Sequence, residues 1–174
     1  CQRLRPLLTL AGARLAGGSP HSIVLATAVE FIHSATLLHD DVIDESKLRR
    51  GRDTANALWG NDASVLVGDF LFARAFELMV ETNSLSVLGR LSNASARITE
   101  GEIKQMTIAG VPETSASDYL DVIRNKTAIL FAAAIAAGAE VAGASRAMIE
   151  TANDFGLQLD MAFQIMDDAM DYNV

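Results

Sequence analysis

Apolar residues recur three and four positions apart through long stretches rich in Ala, Leu, Met, Glu and Ile, and only Pro6, Pro20 and Pro112 interrupt them as prolines. That spacing predicts helices. Between residues 23 and 42 the apolar positions nearly encircle the helix, as expected of a central helix buried on several sides. Ser22 is placed to cap it after the Gly17-Gly18-Ser19-Pro20 break, and the charged run 45–53 is expected to be a loop or a helix end. Further helices are predicted over 62–81, 84–108, 117–140 and 145–171, separated by Gly60-Asn61, Thr82-Asn83, Gly110-Val111-Pro112 and Gly143-Ala144. No alternating strand pattern exceeds a few positions and no repeat or linker divides the chain, so residues 1–174 are expected to form one all-α domain.

Composition narrows the function classes. Half of the 174 residues are apolar and 21% are charged, which is too much burial potential for a disordered chain. The formal net charge of −8 disfavours a phosphate backbone as partner, so no nucleic-acid binding is expected. A single cysteine, Cys1, allows neither an internal disulfide nor a cysteine zinc site, and a cytoplasmic location fits. The longest apolar run, 128–139, is shorter than the roughly 20 residues of a spanning helix, so a buried helix and no transmembrane segment are expected. The chain lacks an initiator methionine and stops just after an acidic cluster, which reads as incomplete at both ends.

The chemistry gathers in two acidic clusters. In His39-Asp40-Asp41-Val42-Ile43-Asp44-Glu45 three carboxylates stand at i, i+1 and i+4 at the end of an apolar helix. There they repel one another and meet the negative end of the helix dipole, and a bound cation removes both penalties. Oxygen ligands of this kind suit Mg²⁺ shared with substrate phosphates; the plainer reading is a solvated acidic helix end. Asp167, Asp168 and Asp171 repeat the geometry more than a hundred residues later, which argues against chance. Lys47, Arg49, Arg50 and Arg52 follow the first cluster, and adjacent arginines suit bidentate phosphate recognition, so acids and bases together read as a diphosphate site. Arg3, Arg5, His33, Lys126 and Gln164 are further candidate donors.

These residues resemble the trans-polyprenyl diphosphate synthases. Arg3-Leu4-Arg5-Pro6, the helix from Phe31 to Asp41, Arg49-Arg50-Gly51, Gly68-Asp69-Phe70-Leu71, Gly101-Glu102 with Gln105, Lys126-Thr127-Ala128 and Phe163-Gln164 with Asp167, Asp168 and Asp171 all fall in that family's order. The resemblance implies an isoprenoid-synthase-type helical bundle around a central cavity and a head-to-tail prenyltransferase, expected as a homodimer. It implies that Asp40, Asp41, Asp44, Asp167, Asp168 and Asp171 hold three Mg²⁺ on an allylic diphosphate, which Arg49, Lys126, Thr127 and Gln164 also contact. Arg3, His33 and Arg50 are implied to bind isopentenyl diphosphate. In that family bulky aromatics four and five residues before Asp40 stop the chain early; Thr36 and Ala35 are small, which implies a long all-trans product, C40–C50, of the quinone side-chain kind. Shorter-chain synthases and a non-catalytic subunit of a heteromeric enzyme are the alternatives, although a subunit of that kind is expected to have lost an acidic motif. A terpene cyclase is disfavoured, because Leu157 and Met161 follow Asn153 where polar metal ligands are needed. A plain helical interaction module does not explain duplicated acids. Two departures stand out: Cys1-Gln2 replaces the family's glycine and lysine, and Asp160 replaces a common glycine.

Overall fold

A computed structural model describes residues 3–108 and 115–171, without the Asp171 side chain. Cys1-Gln2 and the turn predicted at 110–112 lie outside the described residues. Helix α1 (Leu4–Leu15) was not among the predicted helices; it tolerates Pro6 because the first turn has no internal partner for the missing N–H. Helix α2 (Ser22–Ile43) begins with Ser22 rather than being capped by it. The His21 N–H donates to the Ser19 hydroxyl at 3.2 Å, so the turn closes before Ser22 is reached.

The charged run is a hairpin, not an open loop. Strands β1 (Leu48–Arg49) and β2 (Arg52–Asp53) are antiparallel, with Leu48 opposite Asp53 and Arg49 opposite Arg52. A one-turn helix α3 (Ala55–Trp59) then leads into α4 (Asn61–Glu81) and α5 (Leu85–Ile108). The helix predicted over 117–140 is in three parts: α6 (Ala116–Ile123), a π-helical turn (Arg124–Ala128) and α7 (Ile129–Val141). Ser115 caps α6 by accepting the Asp118 N–H at 3.1 Å. Helix α8 (Arg146–Asp171) completes the described chain, which is all-α apart from the hairpin.

The central helix is α7 rather than α2. Every residue from Leu130 to Ala139 is buried, with α1, α5 and α8 packed around it. Helix α2 is a wall: it buries Leu25, Ala28, Val29 and Ile32 but leaves Ile23 71% exposed. Counting apolar positions overrates α2, because its alternatives on α7 are alanines, which carry little hydrophobicity and admit a neighbour's backbone. The joined stretch Ala116–Val141 is long and apolar enough to cross a membrane, as is Ser22–Ile43, so length alone does not bear out the expected absence of a span. In Ala116–Val141, 72% of the most apolar window is buried inside the protein.

The α1–α7 crossing sets how tightly this core closes. A Cβ on Gly138 would stand 2.0 Å from the Thr9 carbonyl oxygen, and one on Gly12 would stand 2.2 Å from the Ile135 carbonyl oxygen. Both obstacles are backbone, so neither can swing aside. Gly138→Ala adds about 1 kcal/mol of helix propensity, but overpacking costs about 1–3 kcal/mol, and more where backbone must move. The expected outcome is a net loss of stability in urea denaturation with unchanged helical circular dichroism.

Candidate active site

The end of α2 is built to stop without glycine. Glu45 takes a left-handed conformation at φ 51°, the Ser46 N–H returns to the Asp41 carbonyl at 2.9 Å, and the Glu45 N–H returns to Val42 at 3.3 Å. This is the two-bond Schellman cap. The Asn56 amide adds bonds at 3.1 Å to the carbonyls of Asp41 and Ser46, and the Thr54 hydroxyl donates to Ser46 at 2.7 Å. Between these anchors Arg50 and Gly51 form the hairpin tip with φ of 54° and 74°, the two positive values a type I′ turn needs. An arginine held in the left-handed region is strained, and strain of this kind gathers at functional sites.

The first acidic cluster divides its labour. Asp41 is 4% exposed and takes both Arg49 Nε at 2.9 Å and Arg49 Nη2 at 2.8 Å on one oxygen. Asp44 is exposed. Asp40 lies between them in character: burial, followed by the like charge of Glu102, pushes its carboxyl up to about 6, with Lys126 offsetting part of the shift. Among the described residues no three His, Cys, Asp or Glu side chains stand close enough to hold a metal ion by themselves.

Lys126 sits in the π turn, a form of helix that often marks functional positions. Its ammonium donates to Glu102 at 2.8 Å and to Gln105 at 2.9 Å, both on α5. Gly101 allows this approach, since a Cβ there would meet the Lys126 backbone nitrogen at 2.8 Å. On α8, Gln164 donates to one Asp168 oxygen at 2.8 Å and the Tyr119 hydroxyl donates to the other. Asp167 is exposed, and Asp171 is the last residue of α8.

Two adjoining cavities collect most of the expected residues. The first, about 260 Å³, is lined by Arg3, His33, Arg49, Arg50 and Asp167. The second, about 390 Å³, lies among Gln105, Tyr119, Lys126 and Asp168. Thr127 and Gln164 line both, so a molecule in either cavity meets the same wall. Asp40, Asp41 and Asp44 line neither. His33 is driven down to about 3 by burial and then by Arg5, Arg49 and Arg50, so it is a neutral ring whose Nε2 accepts from Arg5 at 3.1 Å. Ala35 is fully buried, and the half-buried Thr36 turns its hydroxyl back to the His33 carbonyl.

Sequence reasoning underrated Arg5, which lines the first cavity with its guanidinium carbon 4.5 Å over the Phe131 ring. It assigned no role to Glu102, Gln105 or Tyr119; the three-residue spacing of Glu102 and Gln105 on α5 was the available signal. Gly68 likewise has its reason, because a Cβ there would meet the His39 ring at 2.3 Å. A larger groove of about 810 Å³ beside Arg90, Glu140, Arg146 and Glu150 holds none of these residues. Four of its charges are paired, Arg90 with Glu140 and Arg146 with Glu150, each at 2.8 Å.

The polyprenyl synthetase family model matches residues 1–174. The chain is 50% identical to octaprenyl diphosphate synthase of Haemophilus influenzae, over 99% of this chain and 53% of that protein. Among solved structures, a decaprenyl diphosphate synthase from Rhodobacter capsulatus matches with a TM-score of 0.97 at 55% identity. A polyprenyl synthase from Caulobacter crescentus, complexed with calcium and isoprenyl diphosphate, matches at 0.95 and 56%. Each structural match covers 99% of this chain and 53% of the other, so the chain spans about half the length of these relatives.

The neighbouring aspartates Asp40 and Asp41 should respond oppositely to neutralisation. Burial raises the Asp40 carboxyl, so its ionised form is unfavourable in the fold and stability falls as pH rises through about 6. Asp40→Asn should therefore raise the metal-free melting temperature at pH 7, with the gain shrinking toward pH 4. Asp41→Ala strands the Arg49 guanidinium and should lose about 1.5–3 kcal/mol, the worth of hydrogen bonds to a charged group. Thermal unfolding of both variants in chelator checks the pair.

Proposed function

Since the chain belongs to the polyprenyl synthetase family, we propose that its protein condenses isopentenyl diphosphate with an allylic diphosphate, head to tail, into a long all-trans polyprenyl diphosphate. The observation that carries this reading is the pair of cavities joined by Thr127 and Gln164. One offers arginines and a neutral histidine; the other sets a lysine opposite a carboxylate. Two diphosphates need two such subsites side by side, with their reacting carbons meeting at the shared wall.

In this assignment Arg3, Arg5, Arg50 and His33 receive isopentenyl diphosphate, and Lys126, Thr127 and Gln164 receive the allylic diphosphate. As the allylic C–O bond breaks, negative charge grows on the departing diphosphate. Lys126, held in place by Glu102 and Gln105, is a fixed cation aimed at that charge. The isopentenyl double bond then forms the new C–C bond to the allylic cation, and the proton released passes to the departing diphosphate. Leu37 and Phe163 give the first cavity apolar wall, which limits water near the cation.

The donor set fits Mg²⁺, which takes one or two carboxylates together with substrate phosphates and waters. Asp40 on α2 and Asp44 at its C-cap, with Asp167, Asp168 and Asp171 on α8, are the carboxylates we assign to it; bound there, it would neutralise the leaving diphosphate. Arg49 occupies Asp41 Oδ1 through both of its nitrogens and leaves one oxygen for a cation, so we assign Asp41 chiefly to holding that arginine over the first cavity. Exposed apolar side chains on α3, α4 and α5, among them Trp59 at 72%, Leu66 at 67% and Leu85 at 86%, support pairing with a second copy.

Two experiments in the full chain test the reading. Asp167→Ala should lower kcat about 10²–10³-fold, the usual effect of losing one group that stabilises charge in the transition state, while leaving helicity and melting temperature intact. Retained turnover would remove Asp167 from the site. Ala35→Phe addresses product length, analysed by chromatography of radiolabelled products. A tunnel past Ala35 predicts shorter products with the first condensation preserved; pure packing at this fully buried position predicts about 1–3 kcal/mol of lost stability and less of every product.

A further inference from the structure

Asp160 occupies a place that the assigned chemistry does not use. Gly156 brings α8 against the backbone of α7: a Cβ there would stand 2.7 Å from the Phe131 carbonyl oxygen and 2.8 Å from the Ala132 Cα. One turn further along, Asp160 is carried into the wall of the first cavity, together with Arg5, His33, Thr127 and Phe131. It is only 6% exposed, and its Oδ2 is buried with no hydrogen-bond partner.

Arg5 faces the complementary problem. It donates to His33 at 3.1 Å and stacks on Phe131, both neutral partners, while its Nε is buried without a partner. No carboxylate stands within ion-pair distance of it among the described residues, although Asp160 and then Glu30 are the charges that offset its burial. Arg5 in turn is the charge that does most to offset the burial of Asp160. A guanidinium with an unused donor and a carboxylate with an unused acceptor thus share one cavity without touching, leaving room for a ligand beside them.

We propose that Asp160 is a counter-ion of Arg5 that keeps the empty pocket compatible with a buried guanidinium and, by the same charge, lowers the pocket's affinity for a diphosphate. The inference rests on the diphosphate reading of this cavity. An anion entering beside Arg5 is attracted by the guanidinium and repelled by Asp160. Removing the acid leaves Arg5 oriented by His33 and Phe131 and strengthens its field. At the several-ångström separations of such a cavity, one unit charge changes affinity by about 3–10-fold. Asp160 is thereby a specificity-determining residue that acts by charge, on the bound anion directly and by offsetting Arg5.

The test is steady-state kinetics of the full chain with isopentenyl diphosphate and an allylic diphosphate, for wild type, Asp160→Asn, Asp160→Gly and Asp160→Glu. Asp160→Asn and Asp160→Gly should lower KM for isopentenyl diphosphate about 3–10-fold, change KM for the allylic substrate by less, and lower the melting temperature of the empty protein. Asp160→Glu, which keeps the charge, should restore the wild-type KM. In an Arg5→Gln background KM should start higher, and Asp160→Asn should still lower it, because the acid repels the anion directly. An unchanged or raised KM in Asp160→Asn, or an equal gain in the charge-keeping Asp160→Glu, overturns the proposal while leaving the function reading intact. A wild-type protein that neither turns over isopentenyl diphosphate nor binds pyrophosphate in calorimetry overturns that reading, and this proposal with it.

Discussion

Helix α7 has almost no side chain with which to keep its neighbours away, and the candidate site is assembled from that closeness. Its alanines and Gly138 admit the backbone of α1, and Gly156 admits α7 to α8 from the other side. Dispersion and apolar burial reward such contact only when no atom stands in excess, which is why small residues rather than large ones do the holding here. With α1 and α8 fixed against one rod, Arg5 on the first and Asp160 and Gln164 on the second come to line one cavity. The π turn that opens α7 carries Thr127 to the same wall and presents Lys126 to Glu102.

Electrostatics divides the site along that frame. The cations of the first cavity are not free: Arg49 is tied to Asp41, and Arg5 is balanced at a distance by Asp160 and Glu30. Burial and then the charge of these cations keep His33 neutral, which in turn lets it accept a hydrogen bond from Arg5. The acids of the two clusters differ in the same way. Asp168 has both oxygens and Asp41 one oxygen committed to protein donors, whereas Asp40 is pushed toward protonation by burial and by Glu102. Six carboxylates in two identical spacings therefore have unequal readiness to meet a cation.

Much of the fold was legible because long helices write their period into the chain: α4, α5 and α8 begin and end within a residue or two of the spacing's prediction. The hairpin, the π turn and helix α1 were not legible, each for its own reason, and neither was the one-turn α3. Strands of two residues are too short to alternate, so the hairpin looked like a charged loop. The π turn reads as ordinary helix, since one extra residue in a single turn leaves the local apolar count unchanged. Helix α1 is short and carries a proline whose position in the first turn makes it harmless. Of the site, the acid clusters and the arginine pair were visible as patterns within a single helix or turn. The alliances between elements, Asp41 with Arg49 and Lys126 with Glu102 and Gln105, depend on tertiary approach that no local window contains.

The hairpin after α2 also acts as a ruler. Asp41 and Arg49 are eight residues apart, and the cap, the Asn56 bonds and the tip at Arg50-Gly51 leave no slack between them. Side chains alternate along a strand, so one residue gained or lost inside this span would turn Arg49 to the opposite face and separate it from its acid. The segment can thus accept substitutions at exposed positions such as Lys47 and Leu48 but not a change of length. Surface loops usually absorb insertions with little penalty; this one is intolerant, because its length is what delivers the arginines to the cavity.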